Sequence, residues 1–226
     1  MDWTKTYRKA VTFSYDDGNE QDIRLVEMLN RYGLKCTFNL NSGLDGRSGD
    51  WQYKGAWVHR MHLPDCTELY KGHEIAVHGS RHLCLTELSR EEMRTEIRSD
   101  AAELARIFGT TPVGMAYAYG AYNADVIEEI AAAGLQYART THSTHHFDVP
   151  QNLLEFKATC HHDDEILFDL AKQFLSENSD APQIFYIWGH SYEFDGNHNW
   201  DRFERLCEML AGKPDVFYGT NREILL

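Results

Sequence analysis

The sequence predicts an α/β fold in which parallel strands alternate with helices. Short apolar runs of strand length alternate with amphipathic stretches of helical spacing along the chain. No Pro-rich or low-complexity linker interrupts this alternation. Such a pattern is typical of a parallel sheet with helices packed outside it. Roughly six or seven units of this kind close into a barrel, although an open doubly wound sheet fits the same pattern.

The apolar runs define the order of the strands. Strands are predicted at 10–15, 34–40, 74–77, 113–117, 135–138, 183–188 and 216–218. Capping residues and helical spacing predict helices within 19–33, 64–72, 89–109, 123–133, 163–175 and 200–210. Residues 41–63 are rich in Gly, Trp and polar side chains and do not follow the alternation. This composition predicts an inserted loop or hairpin at the rim of the barrel.

The first two long helices carry end signals. Asn19 is a candidate N-cap and Gly33 a candidate stop for the first helix. Its predicted inner face carries Ile23, Val26 and Leu29. For the later helix, Ser89 and Glu92 form a predicted capping box. Its apolar positions recur at helical spacing before Gly109: Met93, Ile97, Leu104 and Phe108.

Composition limits the class of protein. With 226 residues, of which 42% are hydrophobic, the chain suits one domain over residues 1–226 with a substantial core. The net charge of -13 argues against nucleic acid or anionic membranes as partners and fits a neutral or cationic substrate. An odd number of cysteines, five, predicts reduced thiols. With no signal-like apolar run near the N-terminus, a cytoplasmic protein is expected, and a trimmed secreted protein is the alternative.

Reactive side chains follow the predicted strands at their carboxyl ends. They are Asp16, Asp17, His78, Tyr119, Arg139 and His190. In a parallel α/β barrel these ends share one face, and that face carries the active site. Residues far apart in the chain are therefore expected to converge there.

Two local motifs suit a metal site. His78 and His82 stand at i and i+4, a spacing that lets two imidazoles bind one metal, although a histidine pair satisfied by solvent or core has the same spacing. Asp16 and Asp17 are adjacent carboxylates, which repel each other when buried unless cations compensate. Their alternative interpretation is a helix cap or an Asx turn completed by Gly18. The dense histidines at 142, 145, 146, 161 and 162 are predicted to be solvated.

The ordered set of motifs resembles the polysaccharide deacetylase family, also called carbohydrate esterase family four or the NodB homology domain. That family's first motif reads T-F-D-D-G, and residues 14–18 read S-Y-D-D-G. Residues 78–82 match its second motif, two histidines separated by three residues. Its third motif, R-x-P-Y-G, is matched only by the final Y-G at 119–120, and the apolar run ending in His is matched at 188–190. The resemblance spans residues 11–191.

The resemblance implies a fold, a metal and a reaction. The fold is a distorted parallel barrel of about seven strands. One divalent ion would be held by Asp17, His78 and His82, with zinc expected first and cobalt, nickel or manganese as other occupants. The substrate would be an acetylated carbohydrate, with N-acetyl groups first and O-acetyl esters second.

The resemblance also implies roles for the remaining strand-end residues. Asp16 is the expected general base, His190 the expected acid, and the backbone N–H of Tyr119 an expected oxyanion donor. Where the family's third-motif arginine would fall, this chain has Ala116. We expect Arg139 to take over that role through a bidentate pair with Asp16. An exposed surface arginine is the alternative.

Two other functions fit parts of the pattern. One is a metal-independent hydrolase of cyclic amides or imides on the same fold, which the intact metal triad disfavours. The other is a catalytically silent carbohydrate-binding protein, for which the retained pair of Asp16 and His190 has no explanation.

Overall fold

The structure is a computed structural model that describes residues 2–44, 46 and 50–226. The strands within these residues are β1 Lys9–Asp16, β2 Cys36–Leu40, β3 Trp51–Tyr53, β4 Ala56–Val58, β5 Glu74–Val77, β6 Gly114–Ala116, β7 Tyr137–Ser143, β8 Phe156–Ala158, β9 Cys160–His161, β10 Gln183–His190 and β11 Val216–Tyr218. All of them except β3 and β4 belong to one sheet, in which every strand pairing is parallel.

The sheet curls into a distorted barrel with seven strand positions. Its order is β8-β7-β6-β5-β2-β1-β10-β9. β8 and β9 are separated only by Thr159, so the segment 156–161 pairs with β7 on one side and with β10 on the other. The N–H of Thr159 donates to the carbonyl of Tyr186 at 3.0 Å, which joins the two ends of the sheet. The barrel that the sequence pattern and the resemblance predicted is confirmed.

The distortion lies beside β1. The last four residues of this strand pair with β2, whereas its first three residues pair with β11. β11 thus fills the place at the amino end of the barrel that β2 leaves open. Two clusters of buried apolar side chains pack against the sheet, a larger one rich in Phe and Leu and a smaller one that includes Trp3, Phe156 and Trp188.

Helices cover the outside of the sheet. Within the described residues they are α1 Asp22–Arg31, α2 Arg90–Phe108, α3 Ala124–Ala132, α4 Leu167–Ser176, α5 Tyr192–Gly196, α6 Trp200–Leu210 and α7 Asn221–Leu225. The capping box at Ser89 and Glu92 forms as predicted, and Gly109 ends α2 with φ 70°. Within the same residues, no helix combines the length and the apolar character needed to cross a bilayer.

The first helix begins later than predicted. Its N-cap position is Gln21, not Asn19, whose backbone carbonyl instead accepts from the N–H of Asp22 at 2.9 Å. Ile23, which was predicted on the inner face, is 46% exposed. The inner face is made by Asp22, Leu25, Val26, Met28 and Leu29.

Other boundaries also differ from the predicted ones. The helix predicted at 64–72 is a 3-10 turn at Leu63–Cys66 followed by further turns, with Pro64 near its start. β7 begins two residues later than predicted and runs on to Ser143, so Arg139 lies inside the strand and not at its end. α4 starts at Leu167 rather than 163.

The rim insertion contains a two-stranded hairpin. β3 and β4 pair antiparallel around Lys54 and Gly55, both of which have positive φ. The hairpin packs on α5, where the rings of Trp51 and Tyr53 each lie 5.3 Å from the ring of Tyr192. Because α5 follows directly after β10, the hairpin forms one wall of the barrel mouth.

Candidate active site

The two adjacent aspartates at the end of β1 are both buried but face different partners. Asp17 has a left-handed backbone, with φ 85°, and its N–H donates to the carbonyl of Asn39 at 3.0 Å. That turn separates the two carboxylates. Asp16 Oδ1 accepts from Asn39 Nδ2 at 2.8 Å, whereas Asp17 Oδ1 lies toward two histidines.

Asp17, His78 and His82 form a compact set of potential metal ligands. Asp17 Oδ1 lies 3.5 Å from His82 Nε2 and 3.8 Å from His78 Nε2. Tetrahedral ligands on bonds of about 2.1 Å stand about 3.4 Å apart, so these spacings suit one ion. His82 reaches the set with φ 54°. Burial, followed by the electrostatic effect of the neighbouring His78, lowers the pKa of His82 to about 4, so its ring is neutral as a ligand must be.

The tautomer of His78 is set by a backbone carbonyl. Its Nδ1 lies 2.8 Å from the oxygen of Ala116, which can only accept, so Nδ1 carries the proton. The lone pair of Nε2 therefore faces Asp17 and His82. Such an outer hydrogen bond is the usual way in which a ligating histidine is oriented.

Arg60 supports Asp17 from the rim insertion. Its Nη1 donates to the carbonyl of Asp17 and to Asn41 Oδ1, both at 2.7 Å, and its Nη2 lies 3.3 Å from Asp17 Oδ1. Burial alone raises the pKa of Asp17, but His190, His78 and Arg60 outweigh it, so the pKa lies below its ordinary value. The carboxylate is thus ionised.

Arg139 crosses the barrel from β7 and pairs with Asp16. Its side chain is only 1% exposed, and Nη2 contacts Asp16 Oδ2. The prediction that this pair is bidentate is wrong, because Nη1 donates to the carbonyl of Thr140 at 3.3 Å instead. The guanidinium carbon also lies 4.3 Å from the centre of the Trp188 ring, which holds the plane from the β10 side. Burial raises the pKa of Asp16, but Arg139 outweighs it and the pKa falls below its ordinary value.

His190 lies between the two aspartates and a third carboxylate. Nε2 stands 3.9 Å from Asp16 Oδ2 and 4.0 Å from Asp17 Oδ2. On its other side, Nδ1 lies 3.3 Å from Glu193 Oε2. Burial lowers the pKa of His190, but Glu193 and Asp17 outweigh it and raise the pKa to about 9. The ring is therefore protonated at neutral pH.

Glu193 is held by further histidines that were predicted to be solvated. His161 Nε2 lies 3.1 Å and His162 Nε2 lies 3.4 Å from Glu193 Oε2. Contrary to the prediction, His162 is fully buried, stacked between the rings of Tyr15 and Phe194 at 5.6 and 4.2 Å. Burial, which raises the pKa of Glu193, is outweighed by His161 and His190, and the pKa falls well below its ordinary range.

Tyr119 lies at the mouth of the site. It is 69% exposed, has φ 58°, and its ring stands edge-on to His82 at 4.6 Å. Tyr119, Tyr192 and Trp188 line a cavity of about 280 Å³ that contains the aspartates and histidines. A larger groove of about 770 Å³ lies between α1 and α6 and includes none of these residues. That larger groove holds no convergent reactive groups, so the smaller cavity is the candidate active site.

Sequence reasoning did not single out Asn39, Arg60 or Glu193, and it predicted His161 and His162 to be solvated. Asn39 ends its strand near β1, so the strand-end rule that selected Asp16 also applies to it. Glu193 stands three residues after His190, one helical turn away, which is the only sequence signal for their contact. Arg60 follows β4 and the 161–162 pair lies at the end of β9, in segments whose paths the sequence does not predict.

A parallel barrel with carboxylates and histidines gathered at the carboxyl ends of its strands defines an α/β-barrel protein with a hydrolase-type site. Residues 4–138 match the family model described as polysaccharide deacetylase. The chain belongs to the polysaccharide deacetylase family, as its motifs predicted. No curated protein matches it.

Solved structures show the same fold. The chain is similar to a family 4 carbohydrate esterase from Streptomyces lividans in complex with acetate, with a TM-score of 0.60, 21% identity and coverage of 94% of this chain and 93% of that one. It is also similar to the peptidoglycan deacetylase PdaC from Bacillus subtilis, with a TM-score of 0.55, 16% identity and coverage of 96% and 89%.

A third similar structure has a different activity status. It is a carbohydrate esterase family 4 pseudoenzyme from Bacillus anthracis, with a TM-score of 0.58 and 16% identity. The match covers 98% of this chain but 66% of that one. Fold alone therefore does not decide whether a member of this family is active, and the function rests on the residues in the cleft.

Proposed function

We propose that this chain is a metal-dependent hydrolase that removes acetyl groups from N-acetylated carbohydrates. One arrangement carries the proposal. A set of two imidazoles and one carboxylate stands beside a separate carboxylate and a separate protonated imidazole, each held by its own partners. The first set suits a metal, and the other two groups suit a base and an acid.

The donor set fits one divalent ion. Asp17, His78 and His82 offer one oxygen and two nitrogens within 4.8 Å of one another. This combination is typical of catalytic zinc sites, which leave a position open for water or substrate. Zinc is the first choice, and cobalt, nickel or manganese are the other occupants of such a site. When bound, the ion supplies Lewis-acid activation of a water molecule and of the acyl carbonyl.

The chain's own residues move the protons. Asp16 is ionised and fixed on both oxygens by Asn39 and Arg139, so it can accept a proton from the attacking water. His190 carries a proton on Nε2 facing the same cleft and can give it to the departing nitrogen. The exposed Tyr119 borders the cleft, and its backbone N–H remains our candidate oxyanion donor.

The substrate class rests on family membership. The similar structure from Streptomyces lividans is described in complex with acetate, and the Bacillus subtilis one as a peptidoglycan deacetylase. We infer the same class of bond here, an acetyl amide on a sugar, with an acetyl ester as the second choice. An ester needs less help from His190, because an alcohol leaves more readily than an amine.

The test measures metal content and acetate release together. Purified protein, stripped with a chelator and reloaded with zinc, is expected to bind one ion per chain and to release acetate from acetylated chitooligosaccharides. The His78→Ala/His82→Ala double variant is expected to lose both properties. Asp16→Asn and His190→Ala are each expected to retain the ion and to lose about 10²-fold or more in kcat.

Three outcomes contradict the proposal. Unchanged zinc binding in the double variant would remove the metal site. Zinc binding without turnover on acetylated chitooligosaccharides, peptidoglycan fragments and acetylated xylan would favour a silent carbohydrate-binding protein. Turnover of a cyclic ureide by metal-free protein would favour the imide hydrolase.

A further inference from the structure

Glu193 lies beneath His190 on the side away from the cleft, at the start of α5. Its Oε2 accepts from the backbone N–H of His190 at 3.0 Å and lies 3.3 Å from His190 Nδ1. One carboxylate oxygen therefore contacts both the backbone and the ring of the same histidine. That leaves Nε2 as the ring atom that faces Asp16 and the cavity.

The hydrogen-bonding pattern around His161 makes it a donor to the same oxygen. The backbone N–H of Asp163 donates to His161 Nδ1 at 3.1 Å, so Nδ1 holds a lone pair and the proton of the neutral ring resides on Nε2. Nε2 is 3.1 Å from Glu193 Oε2. Binding a metal through Nε2 would require the opposite tautomer and would break the bond from Asp163. His161 is therefore better suited to holding the Glu193 carboxylate than to binding a metal cation through Nε2.

His162 also stands beside Glu193. Its ring fills the space beside β10, where a Cβ on Gly189 would stand 2.0 Å from Nδ1. With aromatic rings on both faces, it cannot swing aside. Its Nε2 stands 3.4 Å from Glu193 Oε2. The carboxylate is thus surrounded by three imidazoles, of which only His190 reaches the cleft.

We propose that Glu193 is a positioning residue that holds His190 as the proton donor to the leaving group, and that His161 in turn fixes Glu193. This assignment rests on the proposed hydrolase function. As the C–N bond breaks, its electron pair passes to nitrogen, which takes the Nε2 proton of His190, while Asp16 has taken a proton from the attacking water. His190 is left neutral, with its Nδ1 proton retained against Glu193.

The dependence on the leaving group separates this role from a structural one. An amine leaves only after protonation, whereas 4-nitrophenolate leaves as a stable anion. In the zinc-loaded full chain, Glu193→Gln is expected to lower kcat on an acetylated chitooligosaccharide about 10²-fold, with KM and zinc content near wild type. Hydrolysis of 4-nitrophenyl acetate by the same protein is expected to change little. Glu193→Asp, which keeps the charge, should recover part of the amide activity.

Two further variants complete the experiment. His161→Gln is expected to show the same selective loss in a weaker form, and it is the working variant if Glu193→Gln does not fold. Glu165→Gln is the control variant. It alters an exposed carboxylate in the turns that follow His161, and its kcat should match that of wild type on both substrates. Equal losses on amide and ester, or no loss on either, would overturn the assignment to Glu193. A wild-type protein that is inactive on both substrates would instead overturn the proposed function, and the assignment with it.

Discussion

Arg139 and Asp16 form an ion pair across the interior of the barrel, where almost no solvent reaches either group. Removing one member of such a pair leaves an uncompensated buried charge, which is far more costly than losing the pair as a whole. In the family resemblance, the arginine next to the base comes from the third motif, where this chain has only the Ala116 backbone carbonyl beside His78. The arginine comes instead from β7. The ion pair with Asp16 is therefore present, although its arginine lies at a different place in the chain.

A double-mutant cycle tests how strongly Arg139 and Asp16 depend on each other. Arg139→Met is expected to lower the free energy of unfolding by about 3–5 kcal/mol, because Asp16 is left buried without its cation. Adding Asp16→Asn should recover a large part of that loss. Chemical denaturation of the four proteins at one pH measures the coupling. Strictly additive losses would show that the two side chains do not interact in solution.

Asp22 is a second buried carboxyl group, located at the start of α1 and away from the proposed proton transfers. Tyr70 donates to one oxygen at 2.7 Å, and Ser191 donates to the other at 2.5 Å. Burial raises the pKa of Asp22 to about 7, because the two hydroxyl donors only partly compensate. The folded protein therefore keeps this proton up to about pH 7, whereas the unfolded chain loses it near pH 3.8, the ordinary pKa of an aspartate.

This difference predicts a pH dependence of stability with a definite sign. Between about pH 4 and 7 the unfolded chain binds fewer protons at Asp22 than the folded protein, so the free energy of unfolding falls as pH rises. Asp22→Asn removes that contribution. Relative to wild type, the variant should gain about 3 kcal/mol between pH 4 and pH 7, and the gain should level off above about pH 8. Denaturation midpoints of both proteins across pH 4–9 measure the difference. A difference that stays constant across this range would contradict the raised pKa.

The elements that the sequence predicted well are those whose signals are local. Ser89 with Glu92, and Asn123 with the following apolar run, specify helix starts that the structure reproduces. β10 carries a continuous apolar run and β1 alternates apolar and small polar side chains, and both strands are buried nearly throughout, as central parallel strands are. The sequence pattern also predicted that Asp16, Asp17, His78 and His190 lie on one face, because the carboxyl ends of the strands in a parallel barrel share one face.

The elements that were missed depend on contacts between distant segments. β8 and β9 together span only 156–161 and form because β7 and β10 offer unpaired edges on either side. The first helix starts after Gln21 because the buried carboxyl group of Asp22 is accommodated by Tyr70 and Ser191 from other parts of the chain. The same limit applies to Arg60, which reaches Asp17 only because the hairpin folds back over the rim.

The hairpin of β3 and β4 is held on α5 by a close approach at Gly196. A Cβ at this position would lie 2.4 Å from the ring of Tyr53 and 2.9 Å from its carbonyl oxygen, so Gly196→Ala must push the hairpin outward. Arg60, just beyond β4, orients Asp17, and loss of such an outer contact typically costs 10–100-fold in metal affinity. We expect weaker zinc binding and faster proteolysis of the hairpin, both measurable on the same preparation.

A matched variant controls for the glycine substitution itself. Gly212→Ala places a methyl group where no atom lies within 4 Å, and it should leave zinc affinity unchanged even though its positive φ costs some stability. Wild-type zinc affinity in Gly196→Ala would show that the position of the hairpin does not control the Asp17 carboxylate.

At the scale of the whole molecule, the site depends on closure of the barrel, because its residues come from strands on opposite sides. Asp16 lies on β1, Arg139 on β7 and His190 on β10. The seam that brings β7 and β10 into one ring is the short segment 156–161. Thr159 lies at its centre and is buried. Besides its backbone bond to Tyr186, its hydroxyl accepts from the Tyr186 N–H at 3.1 Å and donates to the Ile184 carbonyl at 3.2 Å.

Replacement of this hydroxyl should loosen the seam more than it loosens the rest of the protein. Thr159→Val keeps the shape of the side chain but leaves the buried Tyr186 N–H without its partner, which costs about 1–3 kcal/mol. Thr95→Val is the matched control, since Thr95 is exposed on α2 and bonds only within its own helix. Hydrogen exchange is expected to accelerate first at the amides of β8, β9 and β10 in Thr159→Val, with kcat falling as Arg139 loses its fixed distance to Asp16. Uniform acceleration over all strands, or protection at β10 equal to wild type, would show that the ring is held closed elsewhere.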